Sequence, residues 1–215
     1  MDLQNPLRSL APTVDADVLA VLAGSRRPLT GAAVERLAAR SHAQVRTVLH
    51  RLVKTGLVEA DRVGQAVQYR FNREHVLASG IEEMLRGAVV VESRLREHVA
   101  ACDPAPDSVV VFGSFACRTG GEDSDVDLLL VRPQHVDADD LHWAEVRSSI
   151  AQHLEAWTGN SCQVIEVSPL ELREAAARTE PLVASLSTDG RDVFGAPIGD
   201  LLGLRGRRSP PSAEA

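Results

Sequence analysis

VVVFGSFACRTGGEDSDVDLLLV, residues 109–131, is an apolar run that stops at a glycine, a polar stretch of small and acidic residues, and a second apolar run entered through two aspartates. Apolar runs of this kind predict strands buried on both faces. Gly113 lets the backbone approach a ligand closely, and Ser114 at a helix start offers a hydroxyl and backbone N–H groups to phosphate oxygens. Ten residues separate Ser114 from Asp125, and Asp127 follows two positions later. Strand alternation puts both carboxylates on one face, within reach of shared Mg²⁺. A pair of such ions can activate an attacking hydroxyl and stabilise a pyrophosphate leaving group.

Downstream, Ala138 to about Trp157 predicts a helix, CQVIEV (162–167) a third strand, and Leu170 to Arg178 a further helix. Strands and helices alternate as in a mixed α/β unit, which begins after Pro104 and Pro106. The end of the chain, RGRRSPPSAEA from Arg205, has no large apolar residues, and residues 201–215 are expected to form a disordered tail.

The G-S-x₁₀-D-x-D pattern resembles the nucleotidyltransferase superfamily of DNA polymerase beta, in its minimal branch. The resemblance spans about residues 105–195, including PLVASLSTDGRDVFG, which is similar to that family's final helix and strand. It implies a nucleotidyltransferase fold, a two-metal Mg²⁺ site on Asp125 and Asp127, and a nucleoside triphosphate held at Gly113 and Ser114. It also implies a third carboxylate on the later strand, where it holds metal and takes the acceptor's proton. Within CQVIEV the candidates are Gln163 and Glu166: an alignment on Gln163 loses a ligand, and one on Glu166 completes the catalytic and metal set. Glu166 is the expectation. The family's Ala-Arg-Gly is replaced by Ala116-Cys117-Arg118, so Gly120-Gly121 are expected to make the turn.

The first third of the chain has a different texture. Val14, Val18, Val21 and Leu22 lie at helical spacing up to Gly24. Thr30 can cap a helix through Arg40 with Val34, Leu37 and Ala38 inward, and Ser41 with Gln44 has capping-box spacing for another helix on Val45, Val48, Leu49, Leu52 and Val53. Leu57–Asp61 and Ala66–Phe71 then predict a hairpin turning at Val63-Gly64-Gln65. Leu49, Leu52, Val53, Lys54, Gly56, Leu57, Val58 and Glu59, with the hairpin, resemble winged helix-turn-helix regulators of the MarR and ArsR type. That resemblance implies a recognition helix from Ser41 to Thr55 and a wing tip at Val63 to Gln68. The expected contacts to double-stranded DNA are Ser41, Arg46, His50, Arg51, Lys54, Arg62 and Gln65.

Charge divides the chain in the same way. The formal net charge is −7, yet residues 1–73 hold 11 Lys and Arg against 6 Asp and Glu, and residues 74–215 hold 12 against 24. A basic first third accommodates nucleic acid that the overall acidity conceals. Cys102, Cys117 and Cys162 form no C-x-x-C pair, which excludes a sequence-evident disulfide framework or zinc knuckle. No apolar run reaches membrane-spanning length, so a cytoplasmic location is expected.

The expectation is thus an α/β (α+β) two-domain chain. It comprises a winged helix over residues 1–73, a connecting helix or helix pair over 74–103, and a nucleotidyltransferase fold with a mixed sheet flanked by helices over 104–200. Its expected function is DNA binding joined to Mg²⁺-dependent transfer of a nucleoside monophosphate to an acceptor hydroxyl. The alternatives are a regulator that senses a nucleotide without turnover, and an antitoxin with a protein toxin as partner. Palindromic operators would favour a homodimer, helped by the 74–103 helices.

Overall fold

The computed structural model describes residues 1–203, and the chain divides into two compact units, Met1–Val89 and Val90–Ala215. In the first unit the order is α1 (Leu7–Leu10), α2 (Val14–Gly24), β1 (Leu29–Thr30), α3 (Gly31–Ala38), α4 (His42–Lys54), β2 (Val58–Val63), β3 (Ala66–Phe71) and α5 (Ala78–Leu85). The strands form an antiparallel sheet in the order β1-β3-β2. Helix α6 (Gly87–Ala100) begins before the division and ends after it.

Local sequence sets the helix starts. The Thr30 hydroxyl accepts the Ala33 N–H at 3.3 Å, and the Ser41 N–H donates to Gln44 Oε1 at 3.3 Å. The pattern of α4 buries Val45, Val48, Leu49 and Leu52 against Val18, Leu22, Val34 and Phe71, and Val53 packs partly buried beside them. Leu37 departs from expectation: it is 56% exposed, because the eight residues of α3 bury only Val34 and Ala38. Leu57 belongs to the exit from α4 rather than to the hairpin, its N–H donating to Leu52 O. Val63 and Ala66 pair, so the turn is the two residues Gly64-Gln65, with Gly64 at φ +63.

The N-terminal segment is part of this core. Leu3 and Leu7 are buried, and Asp17 of α2, its side chain 2% exposed, is met by Arg8 Nε at 2.5 Å and Arg40 Nε at 2.6 Å. Helix α5 also belongs here, burying Ala78 and Ile81, so the contact division falls inside the segment expected to link the domains. The helix expected over 74–103 starts late: Val76 is 86% exposed and precedes α5.

In the second unit the order after α6 is β4 (Ser108–Phe112), α7 (Gly113–Cys117), β5 (Val126–Val131), α8 (Leu141–Thr158), β6 (Cys162–Val167), α9 (Pro169–Ala177), α10 (Pro181–Asp189), β7 (Arg191–Gly195) and α11 (Ile198–Leu201). The sheet order is β6-β5-β4-β7, with β4 antiparallel to β5 and β7, and β5 parallel to β6. Helix α8 starts three residues later than its apolar pattern, because the Asp140 carboxylate accepts the N–H groups of His142 and Trp143.

Register assigns the two sheet faces, since paired residues point to the same side. Phe112, Asp127 and Gln163 share one face, as do Val110, Leu129 and Ile165. Leu172, Leu186 and Ile198 of the following helices, with Leu202 just after α11, cover Val110, Phe112, Leu129 and Val131 there. Val126, Leu128, Leu130 and Glu166 point to the other face, where Arg147 of α8 meets Glu166. Leu201 lies in α11 and Leu202 is buried, so the chain is ordered past the expected start of the tail at residue 201. The rest of that tail, from residue 204, lies outside the described residues.

Candidate functional site

At the end of β4 the chain turns sharply into α7. Phe112 is extended, Gly113 has φ +66, and a Cβ built on Gly113 would lie 2.3 Å from Asp127 Oδ2. Glycine is required here twice, by the left-handed backbone and by the carboxylate against its Cα. Ser114 is half-buried in the first turn of α7, and its carbonyl accepts the N–H groups of Thr119 at 2.9 Å and Gly120 at 3.3 Å. The left-handed residue of this turn is Arg118, whereas Gly120 and Gly121, expected to make it, have no positive φ. Arg118 is exposed and takes the left-handed conformation that ends α7.

Asp125 precedes β5 and is exposed; Asp127 is half-buried. Burial, and then the charge of Asp125, hold the Asp127 carboxyl above the ordinary carboxylate range. Among the described residues neither carboxylate has a hydrogen-bond or ion-pair partner. A carboxyl raised in the folded state favours its protonated form, so its contribution to stability is present at low pH and lost as pH rises through the folded value. A cation held by the two carboxylates would remove that penalty.

The structure corrects the assignment of Glu166. Asp127 pairs with Gln163 across β5 and β6, whereas Glu166 pairs with Leu130 and points to the opposite face. There its carboxylate is occupied by Arg132 Nε at 2.9 Å and Arg147 Nη1 at 2.6 Å, with only 13% of the side chain exposed. Strand parity excludes Glu166 from a set with Asp125 and Asp127. The residue beside Asp127 is Gln163, which is exposed.

Among the described residues no three His, Cys, Asp or Glu side chains converge on a metal position. The donor set is two unpaired carboxylates and the Gln163 amide. This suits Mg²⁺, which is commonly bound by one or two carboxylates with substrate phosphates completing its shell. Beside Gln163, burial, then Glu155, Asp127 and Asp125, push the Cys162 thiol up to about 12, which disfavours the thiolate.

Sequence reasoning missed Asn160, which follows α8 and is 3% exposed. Its Nδ2 donates to Ser124 O at 2.8 Å and Glu122 O at 3.1 Å, with Gly121 O at 3.5 Å. It holds the loop that carries Asp125.

In the first unit, Ser41, Arg46, His50 and Lys54 are exposed on α4, away from its buried stripe, and Arg62 and Gln65 are exposed on the hairpin. Arg51 differs, because it is ion-paired with Asp15 of α2. Arg70 of the hairpin is likewise paired with Glu59.

Residues 92–176 match the family model described as nucleotidyltransferase domain, a range that takes in Gly113, Ser114, Asp125, Asp127 and Gln163. No curated protein matches the chain. Among solved structures, one described as a toxin–antitoxin with AMP-PNP is similar at 15% identity and TM-score 0.37, covering 53% of this chain and 82% of its own. A mutant of the toxin–antitoxin MntA-HpeT is similar at 13% identity and TM-score 0.36, covering 53% and 81%. No helix among the described residues is long and apolar enough to cross a membrane.

Proposed function

We propose that the second unit binds a nucleoside triphosphate with Mg²⁺ and transfers its nucleoside monophosphate to an acceptor hydroxyl, in a protein whose first unit binds duplex DNA. The observation that carries the first half is the unpaired Asp125 and Asp127 pair beside the Gly113 turn, inside the stretch matching a nucleotidyltransferase domain. Asp125 and Asp127 would hold Mg²⁺, which when bound neutralises phosphate charge and polarises the α-phosphorus. The Gly113-Ser114 turn holds phosphate oxygens. The acceptor oxygen forms a bond to the α-phosphorus, the α–β bridging bond breaks, and pyrophosphate leaves.

The acceptor's proton goes to solvent, since Gln163 cannot accept it and Glu166 is on the other face. That register makes transfer slow relative to binding. It also favours a second reading, in which nucleotide binding itself is the signal and turnover is incidental. Titrating ATP, GTP, CTP and UTP with and without Mg²⁺, while following pyrophosphate release, tests both. Mg²⁺-dependent binding with slow release supports transfer, binding with none supports the sensor, and binding that ignores Mg²⁺ contradicts both.

For the first unit, the exposed cations of α4 and the hairpin support a helix in the major groove with phosphate contacts alongside. Arg46→Ala/Lys54→Ala is expected to weaken binding of a labelled duplex about tenfold and to reduce the slope of log affinity against log salt by about one to two. Arg51→Ala is expected to leave that slope unchanged, because Asp15 already neutralises the guanidinium. Fluorescence anisotropy across a salt series measures both, and an unaltered slope in the double variant would rule out α4 as the DNA-facing helix.

A further inference from the structure

The loop from Gly121 to Ser124 lies ahead of the first β5–β6 pair, Val126 with Cys162. Within it the Ser124 Oγ accepts the Gly121 N–H at 2.9 Å, and the Ser124 N–H returns to Gly121 O at 3.2 Å. The Glu122 and Ser124 carbonyls accept from Asn160. An amide nitrogen carries two protons, so the bonds to Ser124 O and Glu122 O use both, and the longer approach to Gly121 O is secondary.

Asn160 is itself rigidly placed. Gly159 ends α8 in the left-handed conformation, its N–H donating to Glu155 O at 2.7 Å. The Asn160 N–H donates to Thr158 Oγ1 at 3.1 Å, and that hydroxyl donates to Leu154 O at 2.7 Å. The next residue, Ser161, accepts the Val126 N–H at 2.8 Å. Asp125 is thus clamped on both backbone flanks by consecutive residues: Ser124 O by Asn160, and Val126 N–H by Ser161. The Asp125 side chain has no hydrogen-bond or ion-pair partner among the described residues, so the backbone clamp is what anchors the residue that carries this carboxylate.

We propose that Asn160 is a positioning residue for the metal pair, fixing the distance between the Asp125 and Asp127 carboxylates by holding the loop carbonyls that precede them. This rests on the reading of the pair as a divalent-cation site. Asn160→Asp keeps the shape of the side chain but removes both donors and sets a carboxylate against the carbonyls, releasing the loop.

The test titrates Mn²⁺ alone into wild type and N160D, and follows hydrogen exchange at Gly121–Val126 in both. N160D is expected to bind Mn²⁺ at least tenfold more weakly and to lose protection over the loop, while the β4 and β5 amides stay protected. A folded N160D with wild-type Mn²⁺ affinity overturns the proposal while leaving the cation site standing. Wild type that binds no Mn²⁺ overturns the cation site and the proposal with it. If N160D does not fold, Asn160→Ser, which keeps one donor, is expected to show the same loss in lesser degree; unchanged affinity there overturns the proposal equally.

Discussion

Gly113→Ala should abolish Mg²⁺-dependent nucleotide binding, weakening it by at least about 100-fold, or roughly 2.7 kcal/mol. Two independent costs meet at this residue. At φ +66 an L-residue sits in the left-handed region, which costs about 1–2 kcal/mol. The new Cβ would also fall 2.3 Å from Asp127 Oδ2 and 3.3 Å from its Cγ, so either the carboxylate or the turn must move. The carboxylate is a metal ligand in this account and the turn is the phosphate cradle, so either movement damages the site. Calorimetric titration with Mg²⁺ and ATP, alongside a melting curve, separates loss of the site from loss of the fold. Binding within threefold of wild type would mean that the Gly113 turn faces no ligand.

Gln163→Asp should act in the opposite direction, raising pyrophosphate release from ATP with water as acceptor by about 100-fold. Gln163 is level with Asp127 on the neighbouring parallel strand and is exposed on the same face. A carboxylate there adds a third anionic oxygen donor and a group able to take the acceptor's proton, neither of which an amide supplies. The substitution is nearly isosteric but for one methylene, and it faces solvent, so the fold should tolerate it. Its charge will also push the Asp127 carboxyl further above the ordinary range. Unchanged release together with unchanged Mn²⁺ binding would show that position 163 does not face the cation or the reacting phosphate.

What could be read in the sequence was whatever depends on near neighbours. The sharp turn at Gly113, the Thr30 cap and the hairpin all follow from residues close in the chain, and each has its counterpart in the structure. Glu166 was misread because its face depends on which residue of β6 lies beside Asp127, a long-range register that a six-residue apolar strand does not encode. A shift of one residue moves every side chain to the other face. A carboxylate in the right strand was therefore placed on the wrong side of it.

Arg51 illustrates the same gap from the charge side. Its helical position is that of a solvated cation, and only the packing of α2 against α4 brings Asp15 to it. The residues ahead of α2 carry no helical or strand periodicity of their own, yet Leu3 and Leu7 are buried and Arg8 shares the Asp17 carboxylate with Arg40. Asn160 was invisible for a different reason. An asparagine after a helix-ending glycine reads as an ordinary turn residue, and its work is done on carbonyls nearly forty positions earlier, at Gly121, Glu122 and Ser124.

The first measurement to make is calorimetric titration of ATP with Mg²⁺ into wild type, Asp125→Ala/Asp127→Ala and Glu166→Gln. If Asp125 and Asp127 form the cation and nucleotide site, wild type binds ATP only with Mg²⁺, the double alanine variant does not bind, and Glu166→Gln binds as wild type does. Binding that survives loss of both aspartates, or that disappears in a folded Glu166→Gln protein, would place the site elsewhere.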